Sequence, residues 1–164
     1  MNAQLQPRLS RRAMGLRDLD AVLAVETAAY SHPWSRGNFI DSLAAGYQAE
    51  LLEDSAGGLV GYFIAMPGVD ELHLLNITVA PAWQGQGHGS ALMQAVRALA
   101  QQLGLATLWL EVRATNHRAR ALYARLGFAE VGLRRGYYPA AARREDAVVM
   151  SLRVAAPEGP AHVV

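Results

Sequence analysis

Apolar and polar residues along this 164-residue chain follow two periods, one typical of strands and one typical of helices. Short apolar or alternating runs, bounded by glycine, proline or other turn residues, predict six strands. The predicted strands are 47–53, 59–66, 71–79, 106–112, 129–135 and 146–154. The first two are joined by the turn sequence DSAGG, and the third ends before Pro81.

Two helices are predicted before the first of these strands. Asp18 is a candidate N-cap for a helix that continues to about Tyr30 and is ended by Pro33. A second, short helix is predicted to start at Ser35. We expect it to bury Phe39, Ile40 and Leu43.

Two further helices alternate with the later strands. The third carries an apolar stripe at helical spacing and a glycine, Gly104, that suits its C-terminal cap. The stripe consists of Leu92, Val96, Leu99 and Leu103. The fourth is predicted to run from an N-cap at Asn116 to Gly127.

The predicted order of elements is therefore ααβββαβαββ. The two strand-helix units imply parallel neighbours and the hairpins imply antiparallel ones, so we expect an α/β fold with a mixed sheet. The length suits a single domain, predicted at 10–154. We expect flexible segments at 1–9 and 155–164.

Composition excludes several kinds of chemistry. The chain has no cysteine, which excludes disulfides, cysteine nucleophiles and thiolate metal sites. All 15 basic residues are arginine, so Schiff-base chemistry and a P-loop lysine are excluded as well. Three of the five histidines, His73, His88 and His117, lack the spacing of a metal site, and we interpret them as surface or loop residues.

Charge and hydropathy indicate no special compartment or polyanionic partner. The net charge is +1, which predicts no direct binding of nucleic acid. No apolar stretch is long enough to span a membrane, and the charged sequence after Arg11 and Arg12 argues against export by a twin-arginine signal. We therefore expect a cytoplasmic protein.

A glycine-rich loop, PAWQGQGHGS, separates the third predicted strand from the third helix. Gly85, Gly87 and Gly89 would let the backbone approach a ligand, and the helix start would favour a phosphate. A Walker loop requires lysine, and the spacing of a Rossmann fingerprint is not met. The alternative is a flexible loop without a ligand.

Glu111 lies in an otherwise apolar strand, LWLEV, where a carboxylate needs a partner or a task. Strand alternation places it on one face with Thr107, Trp109 and Arg113. In an apolar setting its pKa would rise, which would make it a better base. The alternative is an ion pair with Arg113 or another arginine.

Several motifs together resemble the GNAT N-acetyltransferases. Gln84-x-x-Gly87-x-Gly89 after NITVAPAWQ is similar to the loop that binds the pyrophosphate of acetyl-CoA in that family. TLWLEVRATNHRARALYARLGF, RRGYYP, EDAVVM and HPWS resemble its bacterial branch that acetylates N-terminal alanines of ribosomal proteins. The resemblance covers about residues 10 to 153.

The resemblance implies a fold and a cosubstrate. Two parallel strands, about 72–79 and 106–113, would splay apart and admit the pantetheine arm of acetyl-CoA. The implied cofactor-binding residues are Ile77, Thr78 and Val79 for the pantetheine; Gln84, Gly85, Gln86, Gly87, His88, Gly89 and Ser90 for the pyrophosphate; and Asn116. Asn116 has a plainer interpretation as a helix N-cap.

The resemblance also assigns the chemistry. Glu111 would accept the proton of the attacking amine and Tyr123 would protonate the departing sulfur, although a helical tyrosine more often covers the edge of a core. The implied acceptor is the N-terminal alanine of the eighteenth protein of the small ribosomal subunit. The alternatives are a small amine, a protein lysine, or a sensor that binds acetyl-CoA without catalysis.

Overall fold

The computed structural model describes residues 8–154, which group into two compact units. The first consists of the described part of Met1–Ile64 together with Asn76–Leu92. The second consists of Ala65–Leu75 together with the described part of Met93–Val164. The predicted tail 155–164 and most of the predicted N-terminal segment lie outside the described residues.

Four α-helices and two short 3-10 turns are present among the described residues. The helices are α1 Leu19–Ala29, α2 Arg36–Ala44, α3 His88–Gln102 and α4 His117–Arg125. The 3-10 turns are Leu16–Asp18 and Pro81–Trp83. All four predicted helices are confirmed.

Seven strands are present in the same part of the chain. They are β1 Leu9–Ala13, β2 Gln48–Asp54, β3 Leu59–Pro67, β4 Glu71–Val79, β5 Thr107–Arg113, β6 Ala129–Tyr138 and β7 Glu145–Arg153. The six predicted strands are confirmed, and β1 is an addition. Its sequence, LSRRA, carries three polar residues and shows no apolar alternation, so the pattern did not reveal it.

The sheet is mixed, as predicted. The first unit has the neighbour order β1-β2-β3-β4, with β1 antiparallel to β2. The second has the order β4-β5-β7-β6, with β4 parallel to β5 in a register that pairs His73 with Trp109. Strand β7 is antiparallel to both β5 and β6. The expectation that β5 and β6 are neighbours is therefore wrong, because β7 lies between them.

Helix α1 begins where predicted but is not capped as predicted. The Asp18 side chain makes no capping hydrogen bond to the helix. Its carboxylate instead accepts hydrogen bonds from Arg12, at 2.7 and 2.9 Å, and from the Gly15 amide at 2.8 Å. The arginine of β1 thus competes successfully for the carboxylate, since a charged donor makes the stronger bond.

Ile40, which was expected to be buried, and Leu103, the last residue of the predicted apolar stripe, are both exposed. Ile40 is 39% exposed because α2 turns Phe39 inward instead. Leu103 is 43% exposed because α3 ends at Gln102, one residue earlier than the apolar stripe. Gly104 follows with a φ of 68°, which confirms it as the C-terminal cap.

Strand β3 forms the centre of the core of the first unit. Tyr62, Phe63 and Ile64 are fully buried there. Gly61 lies beside them, and a Cβ atom at this position would come within 2.6 Å of the Thr78 carbonyl oxygen and 2.9 Å of a Leu92 methyl group. The close approach of β3 to β4 thus requires glycine at position 61.

We expect Gly61→Ala to lower the free energy of unfolding by about 1–3 kcal/mol, the usual cost of overpacking a core. Gly37→Ala is the matched control, because a Cβ there would make only an ordinary contact of 3.6 Å inside helix α2. That control should raise the free energy of unfolding by about 0.5–1 kcal/mol. Urea unfolding of both variants measures the difference, and equal effects would contradict the close approach.

Candidate active site

The glycine-rich loop of the first unit has a backbone conformation that favours glycine. Gly85 and Gly87 have φ values of 75° and 86°, a region that other residues rarely adopt. A Cβ atom at Gly87 would meet no atom within 4 Å, so the loop leaves space there. The loop runs directly into α3, whose first amides have no helical acceptor.

His88, the first residue of α3, carries an unsatisfied buried atom. Its Nε2 is buried without a hydrogen-bond partner among the described residues. Its ring stands edge-on to Trp83, with centroids 5.5 Å apart. Buried polar atoms are normally paired, so this nitrogen suits a ligand at the loop. The expectation that His88 is a plain surface or loop residue is wrong in this respect.

The end of β4, which the resemblance assigns to the pantetheine, already receives two side-chain donors. The Tyr30 hydroxyl donates to the Ile77 carbonyl at 2.9 Å and lies 2.8 Å from the Thr78 hydroxyl. The Gln84 amide donates to the Val79 carbonyl at 3.0 Å. Each carbonyl oxygen has a second lone pair, so these contacts remain compatible with a further donor.

A buried carboxylate in the first unit was not among the predicted site residues. Glu26 is 1% exposed and accepts hydrogen bonds from the Tyr62 hydroxyl, the Asn76 amide and the Trp34 backbone amide. The sequence contained a signal for it, because Glu26 lies four residues after Val22 on the inner face of α1. Within this unit, these bonds join α1 to β3, to β4 and to the segment that precedes α2.

The two tyrosines near Glu26 keep their protons. Burial raises the pKa of Tyr30 to about 12, although 40% of the residue is exposed. Burial and the neighbouring Glu26 carboxylate raise the pKa of Tyr62 well above its ordinary value. Both hydroxyl groups are therefore hydrogen-bond donors at neutral pH.

In the second unit, both carboxylate oxygens of Glu111 are occupied by cationic or titratable donors. Oε2 lies 2.6 Å from Nε2 of His73, and Oε1 accepts from Arg134 at 2.8 Å. The Glu111 side chain is only 6% exposed. His73 is buried as well, so its interpretation as a surface or loop residue is wrong.

The environment of Glu111 keeps it ionised. Burial alone would raise the pKa of its carboxyl group, but the hydrogen bonds and charges of His73 and Arg134 outweigh burial and lower the pKa. The expected rise is therefore wrong. The predicted face is confirmed, since Leu108, Leu110 and Val112 are buried while the alternate residues of β5 are less so.

Arg113 is not the partner of Glu111. It donates to Glu145 at 3.1 Å and lies over the ring of Tyr138 at 4.6 Å. Arg134, which does pair with Glu111, lies over the ring of Tyr137 at 4.3 Å. The two tyrosines of RRGYYP thus stack under two arginines in the second unit.

Helix α4 carries the other two predicted site residues. Asn116 is its N-cap and accepts from the Ala119 amide at 3.2 Å, which confirms the plainer interpretation. The ring of Tyr123 packs against Phe128 with centroids 5.8 Å apart. Contact with acetyl-CoA by Asn116 and proton donation by Tyr123 stay predictions.

No group of three or more acidic, histidine or cysteine side chains in residues 8–154 is arranged to hold a metal ion. Within the same range, no helix is both long and apolar enough to cross a membrane.

The mixed sheet, with a glycine-rich loop that leads from a strand into a helix, defines an α/β protein. Residues 19–128 match the acetyltransferase (GNAT) family. The chain belongs to this family, which confirms the predicted fold class. Acetyl-CoA is the acetyl donor characteristic of the family.

Individual relatives are similar to this chain over most of its length. The chain is 41% identical over 137 residues to the [ribosomal protein bS18]-alanine N-acetyltransferase of Escherichia coli K12, covering 84% of this chain and 92% of that protein. The crystal structure of the Escherichia coli ribosomal-protein-S18-alanine N-acetyltransferase matches with a TM-score of 0.84 and 36% identity, over 96% of this chain and 100% of that chain. Ard1 from Thermoplasma volcanium matches with a TM-score of 0.79 at 21% identity, over 90% and 98% of the two chains, and shares the fold.

We expect the stability difference between the wild type and Glu111→Gln to depend on pH. Because the folded pKa of Glu111 lies below its ordinary 4.5, its carboxylate stabilises the fold above that value. The stabilisation is lost as pH falls through the lowered folded pKa. Glu111→Gln should therefore cost about 1–3 kcal/mol at neutral pH, and the two unfolding curves should converge in acid.

Glu130→Gln is the matched control for that comparison. Glu130 forms an exposed ion pair with Arg120, and such pairs contribute only ~0–1 kcal/mol. Urea unfolding at a series of pH values measures both variants. A constant penalty for Glu111→Gln across the series would contradict the lowered pKa.

Proposed function

We propose that this chain is an N-acetyltransferase that transfers the acetyl group of acetyl-CoA to the N-terminal alanine of ribosomal protein bS18. The observation that carries the proposal is the 41% identity with the Escherichia coli enzyme of that name, over 92% of its length. A ribosomal substrate implies a cytoplasmic protein whose partner is the N-terminus of a ribosomal protein. The proposal gives no direct role to nucleic acid, membrane or metal.

Binding of acetyl-CoA is assigned to the glycine loop and the end of β4. The backbone amides from Gly85 to Ser90 would bind the pyrophosphate at the start of α3, where the helix dipole favours negative charge. Backbone groups of Ile77–Val79 would hydrogen bond the pantetheine as an added strand does. The positive φ angles of Gly85 and Gly87 and the unpartnered Nε2 of His88 support this assignment.

The remaining residues of the binding site have smaller roles in the proposal. Gln84 fixes the loop to β4 through its bond to Val79, and Gln86 donates to the Ala82 carbonyl at 3.4 Å within the loop. Asn116 contacts the bound acetyl-CoA from the first turn of α4. When bound, acetyl-CoA supplies the acetyl group as an activated thioester.

Transfer requires a neutral amine, because an ammonium group has no lone pair for attack. An α-amine has a pKa of about 8, so only a modest base is needed at neutral pH. In the proposal Glu111 accepts the proton, directly or through a water, as the nitrogen bonds to the acetyl carbon. Tyr123 then donates its proton to the departing sulfur, and transfer is direct.

We expect Glu111→Gln to lower kcat/KM by about 100-fold or more, the usual contribution of a general base. Tyr123→Phe should lower kcat about tenfold or more, because the sulfur would depart as an unprotonated thiolate. Steady-state kinetics with an alanine-initial peptide measure both, and Glu130→Gln is the control. Unchanged transfer by Glu111→Gln would remove Glu111 from the chemistry. A wild-type protein that binds acetyl-CoA but transfers no acetyl group would favour a sensor.

The acceptor is identified by mass spectrometry after incubation with acetyl-CoA. We expect one acetyl group on a peptide that copies the alanine-initial N-terminus of bS18. An Nα-blocked peptide that contains lysine should stay unmodified, because its only amine is a side chain. Modification of both peptides would make lysine the acceptor, and modification of neither would turn the search to small amines.

A further inference from the structure

The Glu111 carboxylate is held from both sides by donors on different strands. His73 on β4 reaches Oε2 at 2.6 Å, and Arg134 on β6 reaches Oε1 at 2.8 Å. Each oxygen keeps a second lone pair, because each bond uses only one. The carboxylate is therefore fixed in direction and still able to accept a proton.

The register of β4 and β5 explains why His73 reaches Glu111. His73 is paired with Trp109 across the two parallel strands, and their rings stack with centroids 3.6 Å apart and an angle of 8°. Glu111 is two residues beyond Trp109 on the same face of β5. Stacking on the indole holds the imidazole so that Nε2 faces the carboxylate.

We propose that His73, together with Arg134, is a positioning residue that holds the Glu111 carboxylate for proton transfer from the amine. The inference rests on the proposed acetyl transfer. In that step a bond forms between nitrogen and the acetyl carbon, and the carbon–sulfur bond breaks. The amine proton goes to Glu111, and the sulfur receives one from Tyr123.

The two donors act on the charge of Glu111 as well as on its direction. Burial raises the pKa of the Glu111 carboxyl group, and the bonds from His73 and Arg134 lower it further than burial raises it. The group therefore stays ionised, which is the form that accepts a proton.

Two substitutions of His73 separate its hydrogen bond from its stacking on Trp109. His73→Gln keeps a flat group with an N–H donor, so it should retain kcat to within about threefold. His73→Phe keeps the stacking on Trp109 but has no donor. We expect it to lose about tenfold or more in kcat with little change in the KM for acetyl-CoA.

Matched controls use neighbouring residues outside the clamp that His73 and Arg134 form around Glu111. His117→Gln removes a histidine that is exposed at the start of α4. Arg134→Met removes the second donor and should also lower kcat by about tenfold or more. Its control is Arg135→Met, because Arg135 is the exposed next residue of β6. Both controls should keep the wild-type kcat. A loss of kcat in His73→Gln as large as that in His73→Phe would overturn the inference, because the N–H donor would then not be what holds Glu111.

A second measurement is independent of the acceptor. The protein is labelled with carbon-13 at the carboxyl groups of its glutamates. The resonance that is missing from the spectrum of Glu111→Gln belongs to Glu111 and reports its titration. His73→Phe should raise the pKa of Glu111, because burial is then opposed by Arg134 alone. An unchanged pKa would refute the clamp. If the wild type acetylates no peptide, the proposed function fails, and this titration still decides the clamp.

Discussion

The cost of burying a carboxylate governs the polar architecture of both units. A carboxylate removed from water must be hydrogen bonded, and an unpaired one is strongly destabilising. Glu26 is 1% exposed in the first unit, and the Glu111 side chain is 6% exposed in the second. Each draws donors from distant parts of the chain, so each fixes the relation of several elements within its unit.

The two carboxylates are satisfied in different ways. The donors to Glu26 in the described part of the chain are neutral groups, from Trp34, Tyr62 and Asn76. The donors to Glu111 are an arginine and a histidine, which supply positive charge as well as hydrogen bonds. The first arrangement suits a framework that ties strands to a helix. The second suits a group that must stay ionised at neutral pH and exchange a proton.

The glycine-rich loop and the approach of β3 to β4 depend on a third constraint, the space that glycine leaves. Gly61 allows β3 to lie against the Thr78 carbonyl, and Gly87 adopts a positive φ with no atom near its missing Cβ. A side chain would push β4 away from β3 at the first position and strain the loop at the second. Binding in the proposed function therefore depends on backbone geometry, whereas the proposed chemistry depends on side chains.

The sequence by itself determined the four helices, six of the seven described strands, the mixed α/β class, the glycine-rich loop and the face of β5 that carries Glu111. These follow from local periodicity and from turn and cap residues. Tertiary structure decided the partners of Glu111. His73 and Arg134 lie 38 and 23 residues away and meet it only through the register of β4 with β5 and the order β5-β7-β6. Local pattern contains no information on register, so the lowered pKa of Glu111 could not be predicted from it.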